Sequence, residues 1–283
     1  MKIGVLSDIH GNLQALEAVI NELKAQGIEE YIIAGDLVSD CGQPNEVVEY
    51  VKRLNPNVIK GNREEYVESY LAGKRSNWDK YDQMGSVVWT ANTLTDENRE
   101  YLKQLPNFKK LDCGDKGVVT VVHGSPFKTS QLVFEQDLTL LASCVDKVKS
   151  EVLIMAHTHT PFSLMVEGTL VVNPGAVGVH FNQDYGAEYA ILHYEEGRFV
   201  ASHHVAKYDL KAVKQNMIAN GLYEHAPVWC ELIYASLVEG FNHSVTFLQS
   251  CQDLVNEDGF VPNEIFSTSF EKWLNLQGMG DDK

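Results

Sequence analysis

The chain contains seven Asp, Asn and His side chains of the types that bind metal ions, each placed directly after a predicted β-strand. They are Asp8, His10, Asp36, Asn62, His123, His157 and His159. Seven ligands are too many for one tetrahedral ion, and their mixture of nitrogen and oxygen atoms suits two metal ions. Because none of the seven is a cysteine, a structural zinc site is disfavoured. The residue types therefore predict a centre with two metals.

A repeated strand–helix pattern is expected to position the first four of these side chains. Apolar runs predict buried strands at residues 2–7, 31–34 and 57–60. Helical spacing of apolar residues predicts one helix from Leu13 to a stop near Gly27, and a second that begins at Pro44. This βαβαβ order predicts parallel strands, whose carboxyl ends collect functional groups. The corresponding loops are residues 8–12, 35–40 and 61–64.

In the remainder of the chain, the predicted secondary structure changes after residue 65 and again after Phe108. Residues 65–105 are helical in pattern and are predicted to form an inserted helical cap. After Phe108, alternating apolar residues predict hairpins with turns at Glu167-Gly168 and Glu196-Gly197, interrupted by one helix near residues 137–148. We expect a second, largely antiparallel sheet packed on the first with helices outside both, which is a four-layer α/β/β/α sandwich with mixed sheets. Two or three helices are predicted after residue 207.

Charge and cysteine usage limit the class of protein. Lys and Arg number 23 against 39 Asp and Glu, for a net charge of −16. This charge repels a phosphate backbone and disfavours binding of duplex nucleic acid. The five cysteines are scattered without any CxxC pair, which favours a reducing compartment. The apolar run at residues 3–6 is too short for a signal peptide, so we expect a cytoplasmic protein that does not associate with membranes.

The order of the candidate ligands resembles the motif set of the calcineurin-like binuclear metallophosphoesterases. The family pattern DxH, GD, GN[H][DE], H and GHxH is read here as Asp8-Ile9-His10, Gly35-Asp36, Gly61-Asn62-Arg63-Glu64, His123 and Ala156-His157-Thr158-His159. The resemblance covers roughly residues 2–205, and residues 173–178 are similar to a segment of the small bacterial and archaeal phosphodiesterase branch. It assigns residues 1–206 to a metallophosphoesterase domain and leaves residues 207–283 as a helical C-terminal extension.

The resemblance also implies which of the seven ligands bind each metal ion. One metal would be held by Asp8, His10, Asp36 and His159, and the other by Asp36, Asn62, His123 and His157, so that Asp36 bridges the two ions. Manganese or iron is expected, with zinc, nickel, cobalt or magnesium as alternatives. The implied reaction is attack of a metal-activated hydroxide on phosphorus, for which Asp36, Asn62, Arg63 and His123 are the expected catalytic residues.

Two positions depart from the family pattern. Ala156 replaces a glycine, which is expected to matter little. Arg63 replaces a histidine that commonly acts as a general acid or contacts the phosphoryl group. An arginine keeps its proton at any working pH, so it can bind phosphate but cannot protonate a leaving group. Arg63 is therefore predicted to bind substrate, together with Lys128 and with Asn12, for which a turn role is equally expected.

These features favour a hydrolase that acts on phosphodiester or phosphoanhydride bonds in nucleotides such as diadenosine tetraphosphate, because a phosphate leaving group needs little protonation. A phosphomonoesterase or protein phosphatase is the second interpretation, and a catalytically weak metal-binding scaffold is the third. Three aromatic residues of the cap are candidate stacking partners for an adenine, although core packing is favoured for each. They are Trp78, Tyr81 and Trp89. We expect a small-molecule phosphoester substrate and homo-oligomerisation through the C-terminal helices.

Overall fold

The computed structural model describes residues 1–277, and within that range ten strands form two five-stranded sheets. The strands are β1 (Lys2–Leu6), β2 (Tyr31–Ile33), β3 (Asn57–Val58), β4 (Phe108–Asp112), β5 (Val118–Val122), β6 (Val152–Ile154), β7 (Phe162–Val166), β8 (Thr169–Asn173), β9 (Ala187–Glu195) and β10 (Arg198–Ala206). The α-helices are α1 (Leu13–Ala25), α2 (Pro44–Leu54), α3 (Asn62–Leu71), α4 (Gly85–Thr93), α5 (Asp96–Gln104), α6 (Leu138–Val148), α7 (Leu210–Ala219), α8 (Leu222–His225), α9 (Pro227–Glu239), α10 (His243–Ser250) and α11 (Asn263–Gln277).

The first sheet contains the predicted parallel strands. Its order is β10-β9-β1-β2-β3, and β2 pairs in parallel with both β1 and β3. The helix α1 that joins β1 to β2 buries Leu16, Val19, Ile20 and Leu23, whose spacing turns one apolar stripe toward the sheet. Helix α2 begins at Pro44, where the missing N–H costs no helical hydrogen bond. The βαβαβ prediction is confirmed.

The second sheet is mixed, whereas the hairpin pattern predicted a largely antiparallel one. Its order is β4-β5-β6-β8-β7, in which β6 pairs in parallel with β5 and with β8. The hairpin of β9 and β10 joins the first sheet instead, because β9 pairs antiparallel with β1 through Ile3 and Leu192. Strand β4 at the sheet edge was not predicted. A hairpin pattern identifies the two strands of the hairpin but not the strand beside it.

The order of the layers depends on which faces of the sheets and helices are apolar. Val5 and Ile32 of the first sheet share one core with Val121 and Ile154 of the second. Helices α1 and α2 cover the outer face of the first sheet, and α6 covers the outer face of the second. The predicted α/β/β/α sandwich of two mixed sheets is confirmed.

The other helices pack at different places. Helices α3 to α5 contribute to the core that α1 and α2 form, and Trp78 is buried there. The described chain after residue 207 contains five α-helices rather than two or three, and these share a core with Cys41 and Val179 from strand-end loops. The extension therefore lies beside the carboxyl ends of the strands. Within residues 1–277, no helix has both the length and the apolar character needed to cross a bilayer.

Candidate metal centre

The structure brings all seven candidate ligands together at one edge of the sandwich. Each lies in a loop or at a helix start that follows the carboxyl end of one of five strands, namely β1, β2, β3, β5 and β6. These strands are linked by parallel pairings within each sheet, so their carboxyl ends point the same way. Packing the two sheets face to face then places both sets of loops around one volume.

The ligand atoms form two clusters, and within each cluster they lie within 4.8 Å of one another. Asp8, His10 and His159 form the first, in which the Nε2 atom of His159 lies 3.2 Å from His10 Nε2 and 3.2 Å from Asp8 Oδ1. Two imidazole nitrogens at this separation are spaced as neighbouring ligands of one tetrahedral ion would be.

The second cluster comprises Asp36, His123 and His157, with Asn62 beside it. The Nε2 atom of His123 lies 3.4 Å from Asp36 Oδ2 and 3.0 Å from Asn62 Oδ1. Asp36 Oδ2 is also 3.8 Å from His10 Nε2 in the first cluster. One carboxylate oxygen of Asp36 thus faces a histidine of each cluster, which suits the bridging role that the family resemblance implies.

The histidines are held with one ring nitrogen facing the clusters. His123 donates from Nδ1 to the Ala34 carbonyl at 2.7 Å, and His159 donates from Nδ1 to the Val179 carbonyl at 2.5 Å. A carbonyl only accepts, so each Nδ1 carries a proton and each Nε2 is the nitrogen that faces the clusters, the orientation found in metal-binding histidines. The buried Asp8 Oδ1 atom has no hydrogen-bond donor. An acceptor left in this state inside a protein fits a cation, so the residues present fit a metal centre.

The backbone at the clusters adopts conformations that local sequence patterns do not predict. Five of the seven candidate ligands have left-handed φ angles between 51° and 69°, and they are Asp8, His10, Asp36, His157 and His159. Left-handed backbone is disfavoured for residues with a Cβ and collects at functional sites. Gly61 is needed for a different reason, because a Cβ atom there would lie 2.1 Å from Asp36 Oδ1. These backbone conformations direct the candidate ligand side chains toward the two clusters.

Glu64 supports two of these loops at once. Its carboxylate accepts hydrogen bonds from the backbone N–H groups of Gly61, Asp36 and Leu37 at 2.7, 3.0 and 2.9 Å. The bond to Gly61 caps helix α3, and the bonds to Asp36 and Leu37 hold the loop that carries a ligand. Glu64 therefore both caps helix α3 and holds the loop that carries Asp36.

Asp40 links the candidate metal centre to the C-terminal helices. Its carboxylate lies 3.1 Å from His10 Nδ1 and 2.9 Å from Arg63 Nη2, and it accepts a hydrogen bond from Trp229 Nε1 of α9 at 2.8 Å. Burial opposes its ionisation, but the Arg63 guanidinium and His10 hold the pKa of Asp40 well below its usual range. Sequence reasoning assigned Asp40 no role, although it ends the strand-end loop that contains Asp36.

A cavity of about 560 Å³ opens onto the two clusters. Its polar lining includes His10, Asp36, Asn62, Arg63, His157 and His159, and its apolar wall is formed by Leu132, Phe134, Phe181, Ile233, Phe241 and Val245. Phe181 of this wall stacks on His159, with centroids 5.2 Å apart. The guanidinium of Arg63 thus faces the cavity, where the predicted phosphate contact would form. Helices α9 and α10 form a wall of this cavity, which sequence reasoning did not predict.

The structure does not bring the other two predicted substrate contacts to this cavity. Asn12 is buried, caps helix α1 by accepting from Ala15 N, and donates to the Gly178 carbonyl. Its side chain therefore has the turn role that was the alternative. Lys128 lines a separate cavity beside Phe127. Trp78, Tyr81 and Trp89 are buried, in line with the core packing favoured for them, and within the described chain no residue of 65–105 lines the cavity at the clusters.

Metal binding should depend on pH because two of the histidines bind protons tightly. Burial alone would lower the pKa of His10, but Asp40 and Asp8 raise it to about 9, and Asp36 similarly raises the pKa of His123 to about 10. Both rings are protonated at pH 7, and a metal ion must displace these protons. We expect roughly one proton released per ion and about a tenfold gain in affinity per pH unit from pH 6 to 8. Calorimetry in buffers of different ionisation enthalpy measures both, and an affinity independent of pH would contradict the expectation.

A two-sheet α/β sandwich with paired Asp and His clusters at its strand ends defines the metallophosphoesterase class. Residues 1–197 match the family model for the calcineurin-like phosphoesterase superfamily domain, and the chain belongs to that superfamily. An uncharacterized protein of Methanocaldococcus jannaschii is 30% identical over 241 residues, which span 78% of this chain and 94% of that protein.

Two solved structures share the architecture. A metallophosphoesterase from Sphaerobacter thermophilus superposes with a TM-score of 0.67 at 26% identity and covers 85% of this chain and 100% of its own. A hypothetical protein from Pyrococcus horikoshii OT3 superposes with a TM-score of 0.69 at 26% identity and covers 81% of this chain and 97% of its own. The family expected from the motifs is thereby confirmed.

Proposed function

We propose that this protein is a metal-dependent hydrolase of phosphodiester or phosphoanhydride bonds in nucleotides, with dinucleoside polyphosphates as the expected substrates. The observation that carries the proposal is the position of Arg63. Its side chain lines the same cavity as both ligand clusters, and the carboxylate of Asp40 anchors it at 2.9 Å. A cation that never deprotonates lies where a family member commonly has a histidine.

The residues of the centre suit an anionic substrate despite the net charge of the chain. Two bound divalent ions would supply hydroxide at neutral pH and neutralise phosphoryl charge. Asp8, His10, Asp36 and His159 would hold one ion, and Asp36, Asn62, His123 and His157 the other. The two aspartates contribute −2 against about +4 from the ions, which leaves the pocket positive. The net charge of −16 therefore does not describe the cavity.

Arg63 limits the leaving groups that the protein is expected to release to those that need no protonation. A guanidinium binds phosphate in bidentate fashion and stabilises charge that develops in the transition state, but it donates no proton to a leaving oxygen. Alkoxides and amines require that proton, whereas a nucleotide phosphate released from an anhydride leaves as a stable anion. We therefore favour anhydride substrates over simple monoesters.

The finer assignment rests on a closer resemblance of the sequence. The helical tail and the altered third motif are similar to those of the streptococcal asymmetric diadenosine tetraphosphate hydrolase. On that basis we infer that diadenosine tetraphosphate is cut unequally into ATP and AMP. We also propose that the domain boundary lies at residue 207 and that residues 65–105 form an insertion. We propose that the ions are manganese or iron, and that the C-terminal helices mediate homo-oligomerisation.

Product analysis tests the proposal directly. Manganese-loaded protein is incubated in parallel with diadenosine tetraphosphate, a simple phosphodiester and a phosphomonoester, and the products are separated by chromatography. We expect ATP and AMP from the dinucleotide and slower cleavage of the other two. Preference for the monoester would favour a phosphomonoesterase or protein phosphatase, and inactivity on all three would favour a metal-binding scaffold.

Replacing Arg63 should affect polyphosphate substrates more than metal binding. We expect Arg63→Ala to reduce kcat/KM for diadenosine tetraphosphate by about 10²–10³, the usual loss on removing one charged stabiliser of the transition state. Arg63→Lys keeps the charge but lacks the planar fork, so it should recover only part of the activity. Metal content serves as the control and should stay within about twofold of the original. Unchanged kinetics in Arg63→Ala would contradict the assignment of Arg63 to substrate.

A further inference from the structure

We propose that the apolar wall of the cavity binds the base of a nucleotide whose phosphates lie at the ligand clusters, and that Phe241 and Val245 determine this specificity. The inference rests on the proposed function, because that function supplies the phosphate-bearing end of the ligand. It goes further by naming the C-terminal helices as part of the substrate site.

The first observation is that large apolar side chains lie exposed on the wall of a concave site. Phe241 is 50% exposed, Val245 is 46% exposed and Leu132 is 52% exposed, and all three line the cavity that also contains the ligand clusters. Apolar surface left in contact with water inside a cleft favours a ligand that covers it. Phe241 and Val245 come from α10 and the turn before it, whereas Leu132 comes from the loop after His123.

The second observation is that the turn carrying Phe241 is held in one position. Helix α9 ends at Glu239, and its C-cap residue Gly240 has a left-handed φ of 64°. A Cβ atom at Gly240 would lie 2.3 Å from the Asn182 carbonyl oxygen. Asn242 then caps α10 by accepting a hydrogen bond from Val245 N at 3.0 Å. The Phe241 ring meets His243 edge to face, with centroids 5.0 Å apart. A wall fixed before the ligand arrives loses little entropy on binding.

The third observation is the size and polarity of the whole cavity. At about 560 Å³ it lies in the range of small-molecule sites, and it joins the ligand clusters and Arg63 to the apolar wall. A ligand that suits this lining carries negative charge for the clusters and a compact apolar group for the wall. A nucleotide meets both requirements, since its base offers a planar face for the aromatic ring of Phe241. Ser244 and Asn242 also line the cavity, where Asn242 Oδ1 accepts hydrogen bonds from Ser244 Oγ and Val245 N.

The test compares two ligands that differ only in the base. Binding of AMP and of ribose 5-phosphate to the manganese-loaded protein is measured by calorimetry, and chromatography afterwards verifies that the AMP is intact. We expect AMP to bind roughly tenfold to a hundredfold more tightly, the size of effect that stacking a base on an aromatic ring produces. Phe241→Ala and Val245→Ser should remove most of that difference and leave ribose 5-phosphate binding unchanged.

Two further variants separate specificity from structural damage. Phe241→Tyr keeps an aromatic face and should preserve the preference for AMP. Phe127→Ala removes an equally exposed phenylalanine from the separate cavity and should change neither affinity. The inference would be overturned if the two ligands bound equally well, or if AMP did not bind detectably. It would also be overturned if Phe241→Ala weakened the binding of both ligands in parallel. Failure to cleave any nucleotide while AMP is still preferred would instead overturn the proposed function alone.

Discussion

Asp36→Asn should reduce the turnover of whichever phosphoester the protein cleaves best by about a thousandfold or more, the loss expected when electrostatic support for a metal-assisted reaction is removed. Asp36 Oδ2 lies 3.8 Å from His10 Nε2 and 3.4 Å from His123 Nε2, so a single carboxylate serves both clusters. Replacing it by an amide removes one of the two negative charges that hold the ions. We expect metal content, measured by elemental analysis, to fall by at least one ion per chain.

The substitution should spare the fold, which makes the loss interpretable. Asp36 has a left-handed φ of 52°, a conformation that asparagine tolerates well. The amide oxygen can still accept the hydrogen bond that Arg63 N donates at 2.8 Å. Glu188→Gln is the matched control, because Glu188 is a buried acid that accepts from Ala176 N and belongs to neither cluster. Full metal content and full activity in Asp36→Asn would contradict the proposed centre.

Asp40→Asn should weaken metal binding by about 10- to 100-fold, the usual cost of altering a partner that orients a metal-binding histidine. The carboxylate lies 3.1 Å from His10 Nδ1 and 2.9 Å from Arg63 Nη2. Loss of its charge leaves Arg63 without this ion pair and His10 without the carboxylate that faces its Nδ1. The free energy of unfolding should also fall by about 1–3 kcal/mol, since charged groups lose their partner. Metal titration and chemical denaturation measure the two effects.

Trp229→Phe isolates one of the hydrogen bonds that the Asp40 carboxylate accepts. It removes the N–H that donates to Asp40 Oδ1 at 2.8 Å and keeps an aromatic ring in the core of the C-terminal helices. We expect a smaller loss of metal affinity than in Asp40→Asn, because His10 and Arg63 keep their charged partner. If Asp40→Asn binds metal as tightly as the original protein, Asp40 does not position His10.

Much of the fold was predictable because its determinants are local. The apolar stripe of α1, the proline that starts α2 and the turns at Glu167-Gly168 and Glu196-Gly197 each depend on neighbours a few residues apart. The placement of the β9–β10 hairpin beside β1 was not predictable in the same way. It depends on pairing between Ile3 and Leu192, which lie at opposite ends of the domain sequence.

The candidate ligands were predictable for a related reason. A polar residue placed directly after a buried strand lies at the carboxyl end of that strand, and parallel strands bring such ends together. Asp8, Asp36 and His123 were found in this way. The contact between Asp40 and Trp229 was not, since 189 residues separate the two and neither belongs to a motif. The same holds for Phe241, whose place in the cavity depends on where α9 ends.

The sequence by itself determined nine of the ten described strands, most of the helices and the seven candidate ligands that follow the strands. It also determined the phosphoesterase family, because five short motifs occur in the expected order. Only the tertiary structure decided which atoms meet. The left-handed backbone at His157, the link from His10 through Asp40 to α9, and the apolar wall of α10 all require packing between distant segments. Local patterns record the burial and hydrogen bonding of each segment, whereas such long-range contacts form only when the segments have packed together.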